Sequence, residues 1–295
     1  NACTASGTAA CATLSGVFAK LPPRIVHAQT INVAAGTYTD QVLLNDIDVN
    51  AAITITGPAL ANVTPATGSA TGTLTTVSNT NPAVMTDSGQ AWTTNNLLGQ
   101  WLVMTSGTQN GQLRVIATNT ATTVTLASPF NSAPATSDTY AIRSPAAVFN
   151  ASTGVTLAVR ATGNSGGASA NGVTISITGL SFRQTGSDLA ACRVATSNQT
   201  VSFINSSCIT TTGTAQGALV FSEGVLTLSA ASIVGSGIGL ITSLNRPGSL
   251  NPNNSFVHGG SSGISTFPNS SLVLNGAQTW TVQTNSASGF EGVWK

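Results

Sequence analysis

Acidic side chains are the first candidates for chemistry, because glycan hydrolysis and calcium binding both need carboxylates that converge on one place. Only Asp46 and Asp48 lie close together in the sequence. Two residues apart on a strand, they would share a face and could bind a cation. A solvated loop is the alternative that we favour for this stretch. The eight acidic residues of the chain are Asp40, Asp46, Asp48, Asp87, Asp138, Asp188, Glu223 and Glu291.

A second candidate is a catalytic pair built around Glu223. Glu223, Arg193 and His258 lie in a region of recurring strands, where neighbouring coils could bring them together. Glu223 would act as an acid or a base, and Arg193 would stabilise negative charge. Isolated charged residues are more often solvated turn residues. We therefore give this pair only as the best catalytic candidate and lean towards a protein without enzymatic activity.

Three tryptophans, Trp92, Trp101 and Trp280, could stack on sugar rings and form a glycan-binding face. The alternative interpretation places Trp92 and Trp101, together with Tyr140, in the core of a small domain. We favour the core for these aromatics, because a unit of that size needs large apolar side chains to be stable.

The four cysteines fall into two local pairs, Cys3 with Cys11 and Cys192 with Cys208. An even number in local pairs, in a chain with few lysines, predicts two disulfides and an oxidising compartment. Free buried thiols are the alternative, since Cys is also an ordinary small core residue. No spacing of Cys and His matches a zinc site, and no Gly-rich motif would hold a phosphate, so we predict no cofactor.

The charge content of the chain is low. Charged residues make up 6% of the 295 residues, against about 25% in an ordinary globular protein. The net charge of +1 gives no basic surface for a nucleic-acid partner. No apolar run approaches the ~20 residues of a membrane span, and a start at Asn1 without Met fits a processed or truncated N-terminus. Val, Ile and Leu alternate with polar residues throughout, which indicates strands rather than disorder.

The stretch from the N-terminus to Pro58 predicts a helix and then one coil of a parallel β-solenoid. Apolar residues in 12–21 follow helical spacing, and Pro22-Pro23 ends the pattern. Such a helix would cover the open end of the first coil. Short strands at 31–33, 42–44 and 53–56 follow, separated by a small-residue corner at 34–36 and an exposed turn at 37–40.

Residues 63–145 have a different rhythm. Short strands near 73–77, 99–104, 113–116, 123–126 and 140–142 alternate with turn-rich linkers. This spacing predicts a small antiparallel barrel or sandwich inserted into the solenoid.

From residue 146 the coil rhythm returns as a loose repeat. Strands that start at Val173, Thr200 and Val225 follow one another at nearly even steps, and each step is long enough for one coil of three strands and three turns. This set of strands ends at 272–274, with 255–257 between, and a second set begins at Ala190, Gly217, Gly237, Gly263 and Gly289. Pairs such as Thr54/Thr56 are similar to the Thr-x-Thr pairs of ice-binding solenoids. They do not repeat coil after coil in the sequence, so we do not favour that function.

The pattern resembles the right-handed parallel β-helix proteins of the pectin-lyase-like superfold. The likeness is strongest at 31–42 and 53–57, which resemble the opening coil of pectin methylesterases and of many secreted bacterial and phage β-helix proteins. The segment 87–142 is similar to a β-module of phage structural proteins and bacterial surface proteins. The aspartate and arginine motifs that a methylesterase needs are absent, and Asn245-Arg246-Pro247 matches one of them only in part. The superfold hosts lyases, hydrolases, esterases, adhesins and tailspikes, so the resemblance implies a fold rather than a function.

The sequence therefore predicts an all-β protein, a right-handed three-sided parallel β-helix with an N-terminal capping helix and an inserted small antiparallel β-domain. The predicted divisions are 1–62 for the cap and first coil, 63–145 for the inserted barrel or sandwich, and 146–295 for the main coils. The leading hypothesis is a non-catalytic extracellular structural or adhesive protein, a subunit of an appendage or larger assembly on a cell or virion surface. Its partners would be copies of itself, other surface proteins or a polysaccharide.

The alternative hypothesis is a carbohydrate-active protein on the same fold, such as a polysaccharide lyase, an esterase or a phage depolymerase. A glycan-binding module that uses the tryptophans is the third. A groove with two converging acidic residues would favour the enzyme.

Overall fold

A computed structural model of the protein describes residues 11, 13–162, 173–186, 190–196, 199–211, 218–222, 224–242, 248–253, 255–259, 262–266, 272–274, 280–284 and 292–294. One short helix and a succession of strands make up this part of the chain. The helix and the strands of the first coil are α1 Leu14–Phe18, β1 Arg24–Ile25, β2 Gln29–Asn32, β3 Gly36–Tyr38, β4 Val42–Val49 and β5 Ile53–Thr56.

The second group of strands lies between residues 61 and 144. They are β6 Ala61–Asn62, β7 Thr71–Thr73, β8 Thr76–Ser78, β9 Ala83–Thr86, β10 Trp101–Met104, β11 Leu113–Asn119, β12 Thr123–Leu126 and β13 Thr139–Ser144.

The third group continues the first. Its strands are β14 Ala147–Ala151, β15 Leu157–Thr162, β16 Thr174–Thr178, β17 Leu180–Gln184, β18 Cys192–Thr196, β19 Thr200–Ile204, β20 Ser207–Thr210, β21 Leu219–Ser222, β22 Gly224–Ser229, β23 Ser232–Gly235, β24 Ile238–Thr242, β25 Gly248–Asn253, β26 Phe256–Gly259, β27 Ser262–Thr266, β28 Leu272–Leu274, β29 Trp280–Thr284 and β30 Gly292–Trp294.

The first and third groups build three parallel sheets that the chain visits in rotation. Sheet A has the order β1-β4-β15-β18-β21-β24-β27, sheet B has β2-β5-β16-β19-β22-β25-β28, and sheet C has β3-β14-β17-β20-β23-β26-β29. The last described strand, β30, pairs antiparallel with β29. This rotation is a three-sided parallel β-helix, which confirms the fold predicted from the alternating strands.

The cap is shorter than predicted. Thr13 caps α1 by accepting a hydrogen bond from the amide of Gly16 at 3.0 Å, and the helix ends at Phe18 rather than Leu21. The amides of Lys20 and Leu21 bond three residues back in tighter turns, so helical spacing continues although the helix has ended. Leu14 and Phe18 are buried against the first coil.

The first coil contains a strand where the sequence predicted a turn. Gly36–Tyr38 is β3, and it pairs in parallel with β14 across the inserted segment. The Tyr38 ring stacks on Phe149 with centroids 4.8 Å apart. A strand with the composition Gly-Thr-Tyr depends on this distant partner, because its own residues favour turns.

The solenoid core is made of ladders of apolar side chains in register. In sheet B, Ile55 pairs with Ile177 and Ile177 with Phe203, although the whole inserted segment separates the first two in the chain. These side chains are 0–1% exposed. At the corner between sheets B and C, a Cβ on Gly57 would lie 2.4 Å from the carbonyl oxygen of Gly179, so two adjacent coils can approach only with glycine there.

The disulfide predicted between Cys192 and Cys208 is present, with Cα atoms 5.8 Å apart. It crosses the buried interior from β18 in sheet A to β20 in sheet C. Cys11 is disulfide-bonded as well. Its predicted partner Cys3 lies outside the described residues.

The repeat of the sequence maps onto the sheets with one exception. The strands predicted from Thr200, Val225 and 272–274 lie in sheet B, while those at 190–192, 217–220, 237–240 and 263–265 belong to sheet A. The strand at 255–257 belongs to sheet C as β26, and β25 is the missing member of sheet B. The strand predicted at Gly289 lies outside the described residues.

The second group of strands forms an antiparallel barrel. Its pairing order is β6-β13-β10-β11-β12-β9-β8, and β7 also pairs with β13. Within residues 71–78, β7 pairs with β13 and β8 pairs with β9. This segment therefore joins the two ends of the pairing order and closes the sheet into a barrel. Ala61 pairs with Ser144, so the two ends of the segment meet between β5 and β14. The strand β9 is one that the sequence analysis missed.

The barrel is packed onto the outer face of sheet C. Trp101 of β10 is 1% exposed, and its indole donates a hydrogen bond to the carbonyl oxygen of Ala230 at 2.8 Å. Phe256 of the solenoid lies in the same buried cluster. Gly99 has a φ of +76°, and a Cβ there would meet Ser232 Oγ at 2.6 Å. At this junction the backbone of the barrel at Gly99 therefore lies directly against sheet C at Ser232.

Candidate functional site

The residues proposed for catalysis do not converge among the described positions. Arg193 lies on β18, and its side chain alternates with the core residues Cys192 and Val194, so it points outward from sheet A. His258 lies on β26 in sheet C, is 4% exposed, and stacks on Phe256 beneath the barrel with ring centroids 5.9 Å apart. Arg193 and His258 therefore occupy different faces. Glu223 lies outside the described residues.

A second arginine shares the outer face of sheet A with Arg193. Arg160 on β15 is exposed and pairs with Ala195, two residues along β18 from Arg193. On adjacent strands this diagonal offset places the two Cα atoms about 7–8 Å apart. The sequence analysis did not select Arg160, since it lies one coil earlier in the chain and only the strand register brings it near.

The predicted Asp46/Asp48 pair is interrupted by a β-bulge. Asn45 pairs with Arg160 and Ile47 with Ala161, so Asp46 is the extra residue on β4. The alternation on which a shared face was predicted does not hold across a bulge. Asp48 forms an ion pair with Arg24 at 3.3 Å. The side chain of Asp46 lies outside the description, and the described residues contain no group of three potential metal ligands.

The tryptophans that the structure describes are in cores. Trp92 is 3% exposed, lies edge-on to Tyr140 with ring centroids 6.3 Å apart, and donates to the carbonyl oxygen of Ser69 at 2.9 Å. Trp101 fills the junction between barrel and solenoid. Neither ring presents a free face for a sugar. Trp280 begins β29, and its side chain lies outside the description.

Asp87 is the most extensively bonded acid in the described part of the chain. It accepts hydrogen bonds from the hydroxyl of Tyr140 at 2.7 Å, the side-chain amide of Gln90 at 3.1 Å, and the backbone amides of Gly89 and Thr73. Burial raises the pKa of Asp87, but these four bonds outweigh it and hold the pKa below the ordinary 3.8. Burial and the adjacent carboxylate raise the pKa of Tyr140. The group locks β7 to β13 and serves structure.

The outer face of sheet B is the most regular surface in the described solenoid. Its outward positions alternate with the core ladder that contains Ile55, Ile177 and Phe203. In register on neighbouring strands they are Thr30, Thr54, Ser176, Ser202 and Thr227, with Asn32, Thr56, Thr178, Ile204 and Ser229 beside them. Asn251 and Asn253 continue the two rows in backbone register on β25, and their side chains lie outside the description. We call these twelve positions the polar face of sheet B. All but Ile204 are Ser, Thr or Asn, but only Thr54 and Thr56 form a Thr-x-Thr pair, so that motif does not repeat from coil to coil, as the sequence predicted.

Two cavities flank the cap. One of about 200 Å³ lies between α1 and the first coil, next to Tyr38 and Phe149. One of about 420 Å³ lies between α1 and β4, next to Phe18, Leu43 and Ile47. Their linings are mostly apolar and bring no pair of acidic residues together, so neither suggests catalysis. In the described residues, no helix has both the length and the apolar character needed to cross a membrane.

No protein-family model matches the chain, and no curated protein matches it. Among solved structures, the tailspike of Acinetobacter baumannii bacteriophage AP22, in complex with A. baumannii capsular saccharide, aligns over 88% of this chain with 11% identity and a TM-score of 0.18. The tailspikes of Pseudomonas phages LKA1 and phi297 align over 86% and 92% of it, with identities of 13% and 11% and TM-scores of 0.21 and 0.20. The chain spans 63%, 51% and 38% of the lengths of these three proteins. Likenesses at this level carry no inference about function.

Proposed function

We propose that this chain is a non-catalytic structural or adhesive β-helix protein, a subunit of an appendage or larger assembly on the outside of a cell or virion. The observation that carries the proposal is the use of the acidic side chains. Asp87 is held by four hydrogen bonds, Asp138 accepts from the amide of Ala135 at 2.8 Å, and Asp48 pairs with Arg24. Three of the four acidic side chains that the structure describes are thus used in contacts within the fold, which supports a structural role. The fourth, Asp40, has a buried Oδ2 without a hydrogen-bond partner in the described part of the chain.

The construction of the molecule supports the same role. The barrel is anchored by Trp101 to the side of a solenoid that a disulfide cross-links, so the molecule has several distinct outer faces. A surface with few charges can pack against neighbours at little desolvation cost. Such a surface suits a subunit that is built into an assembly.

The test combines the mass of the particle with a search for activity. Size-exclusion chromatography with light scattering and negative-stain images should show closed oligomers or filaments. Incubation with a panel of neutral and acidic polysaccharides should release no new reducing or unsaturated chain ends. A stable monomer that degrades an acidic polysaccharide would overturn the proposal.

A carbohydrate-binding or carbohydrate-cleaving role is the second candidate, and Arg160 and Arg193 favour it. Two outward cations on adjacent strands of sheet A suit the carboxylates of an acidic glycan. If this role holds, Arg160→Ala and Arg193→Ala should each weaken glycan retention, while Lys20→Ala, which removes an exposed charge at the cap, should not. Loss of cleavage in Glu223→Gln would assign that residue the acid–base role, and intact cleavage would remove it.

A further inference from the structure

We propose that the polar face of sheet B adsorbs to ice. The proposal goes beyond the assembly role and does not depend on it. It starts from the strand register, which places hydroxyl-bearing or amide-bearing residues on six adjacent strands in two parallel rows. The rows are interrupted only at Ile204.

The spacing of the rows is two-dimensional and regular. Parallel strands lie about 4.8 Å apart, and outward positions on one strand repeat every ~6.6 Å. Side-chain ladders from coil to coil are among the features that stabilise flat sheets. The register therefore places hydrogen-bonding groups on a regular grid, which suits a crystalline water layer better than a flexible glycan.

The hydroxyl groups on this grid are available. Within the described part of the chain, the side chains of Thr54, Thr56, Ser176 and Thr178 make no hydrogen bond, and these residues are half-buried rather than covered. Ser202 lies in register between Ser176 and Thr227 but is only 7% exposed, so the accessible part of the face lies on the strands to either side of it. Accessible hydroxyl groups without a protein partner can bind first-shell water.

The face also lacks the groups that would oppose an ordered water layer. None of its twelve positions is Asp, Glu, Lys or Arg. The charged residues Arg160, Arg193, Arg24 and Asp48 lie on sheet A, and the barrel covers part of sheet C. A charge binds water strongly in its own geometry, whereas the methyl groups of threonine leave the neighbouring waters free to bond to each other. Sheet B is thus the face best suited to ice.

A second copy of the chain fits this face less well. Six strands by five residues cover roughly 24 Å by 17 Å, or roughly 400 Å². A stable interface needs about 800 Å² from each partner, usually with aromatic or arginine anchors at its centre. The central positions here are Ser176, Thr178 and Ser202, which supply no such anchor.

The test compares matched charge insertions on two faces. Fluorescently labelled protein should be enriched in a slowly growing ice hemisphere and should suppress ice recrystallisation. Thr178→Lys, in the centre of the face, should reduce enrichment on the order of tenfold, a change of about 1.4 kcal/mol. Thr37→Lys adds the same charge in place of the same residue type at an exposed position of β3 in sheet C and should leave enrichment unchanged. Both variants should unfold at the same denaturant concentration as the wild type.

A gain of function provides the second arm. Ile204→Thr completes the broken row and should increase the enrichment. The proposal is overturned if the wild-type protein is excluded from ice like an unrelated globular protein, or if the two lysine variants behave alike. It is also overturned if Thr178→Lys lowers the particle mass in light scattering, because the face would then be an interface between copies. Since assembly is measured at room temperature without ice, the two proposals can fail independently.

Discussion

The barrel and the solenoid are both built from strands, but they are stabilised in different ways. The barrel brings together antiparallel strands within 61–144, and its core contains a few large aromatics beside buried polar groups such as Asp87 and Arg114. The solenoid stacks parallel strands that lie one coil apart in the chain, and one coil buries much the same residues as the next. Stability in the barrel is therefore concentrated in a few side chains, whereas in the solenoid it is distributed over the repeat.

The difference has a consequence for how the two regions are joined. The barrel is inserted in the chain between β5 of sheet B and β14 of sheet C, so β5 can pair with β16 only if the barrel brings the two chain ends back together. The pairing of β6 with β13 does so where the barrel leaves and rejoins the solenoid, a place that we call the neck. Trp101 holds the rest of the barrel against sheet C. Variants at these contacts test whether the unfolding of the barrel is coupled to the unfolding of the solenoid.

The largest effect is expected from Trp101→Ala. The side chain is 1% exposed and bridges both regions, so truncation should cost about 3–5 kcal/mol. We also expect one calorimetric transition for the wild type and two for Trp101→Ala, since the barrel can then unfold while the solenoid stays folded. Trp101→Phe keeps most of the apolar volume but loses the hydrogen bond to the carbonyl oxygen of Ala230. Loss of that bond should lower the free energy of unfolding by about 1 kcal/mol. An unsplit transition in Trp101→Ala would mean that the neck alone couples the regions.

An intermediate effect is expected from removing the solenoid cross-link. The disulfide between Cys192 and Cys208 closes a loop with a sequence separation of 16. Loops of this size gain about 3 kcal/mol from the restricted unfolded chain, so the double variant Cys192→Ala/Cys208→Ala should lose about that much in denaturant unfolding. In a background with Trp280→Phe and Trp294→Phe, the remaining tryptophans Trp92 and Trp101 report on the barrel. Their fluorescence should change at the same denaturant concentration as before if the regions are independent. If the fluorescence transition of the barrel shifts together with the loss of strand structure measured by circular dichroism, the barrel depends on the solenoid.

Much of the fold was predictable from the sequence, because it rests on local patterns. Alternation of apolar and polar residues marks strands, and a nearly constant step between strand starts marks coils. The predictions that failed involve residues whose structure is decided by distant partners. Gly36–Tyr38 is a strand because β14 lies beside it, and the register of β4 shifts at Asp46 because its pairing with β15 contains a bulge.

The candidate sites were harder to predict for the same reason. Trp101 could stack on a sugar by its residue type, although a core position was favoured for it. The residues that bury it, Ala230 and Phe256, come several coils later in the chain and could not be identified from the sequence. The polar face of sheet B was hidden because the barrel separates Thr56 from Thr178, its neighbour in the ladder. Cross-strand neighbours on a solenoid are set by register, and a single sequence shows register only where coils are uninterrupted.

The smallest effect concerns the buried network of the barrel and depends on pH. The depressed pKa of Asp87 means that its carboxylate stabilises the fold above its ordinary value of 3.8, and this stabilisation is lost as the pH falls through the lower folded value. The raised pKa of Tyr140 has the opposite sign, so its contribution is complete below the ordinary value of 10.0 and is lost as the pH rises above it. Asp87→Asn should lower the free energy of unfolding by about 1–3 kcal/mol at neutral pH, since it leaves four donors with a weaker or missing acceptor.

The decisive measurement is the pH profile of the barrel signal rather than the loss at one pH. Barrel unfolding, followed by the fluorescence that remains after Trp280→Phe and Trp294→Phe, should become easier as the pH falls below 3.8. This slope should flatten when Asp87→Asn is added. Tyr140→Phe removes one donor and the titrating phenol, so it should keep much of the acid slope and lose sensitivity above pH 10.0. The cross-link and ladder cores of the solenoid contain no such group among the described residues, so its own transition should be insensitive to both substitutions once Trp101→Ala has separated the regions. If the acid slope survives in Asp87→Asn, the carboxylate is not the group that makes the barrel sensitive to pH. The stability of the barrel would then depend on its aromatic core rather than on the network around Asp87.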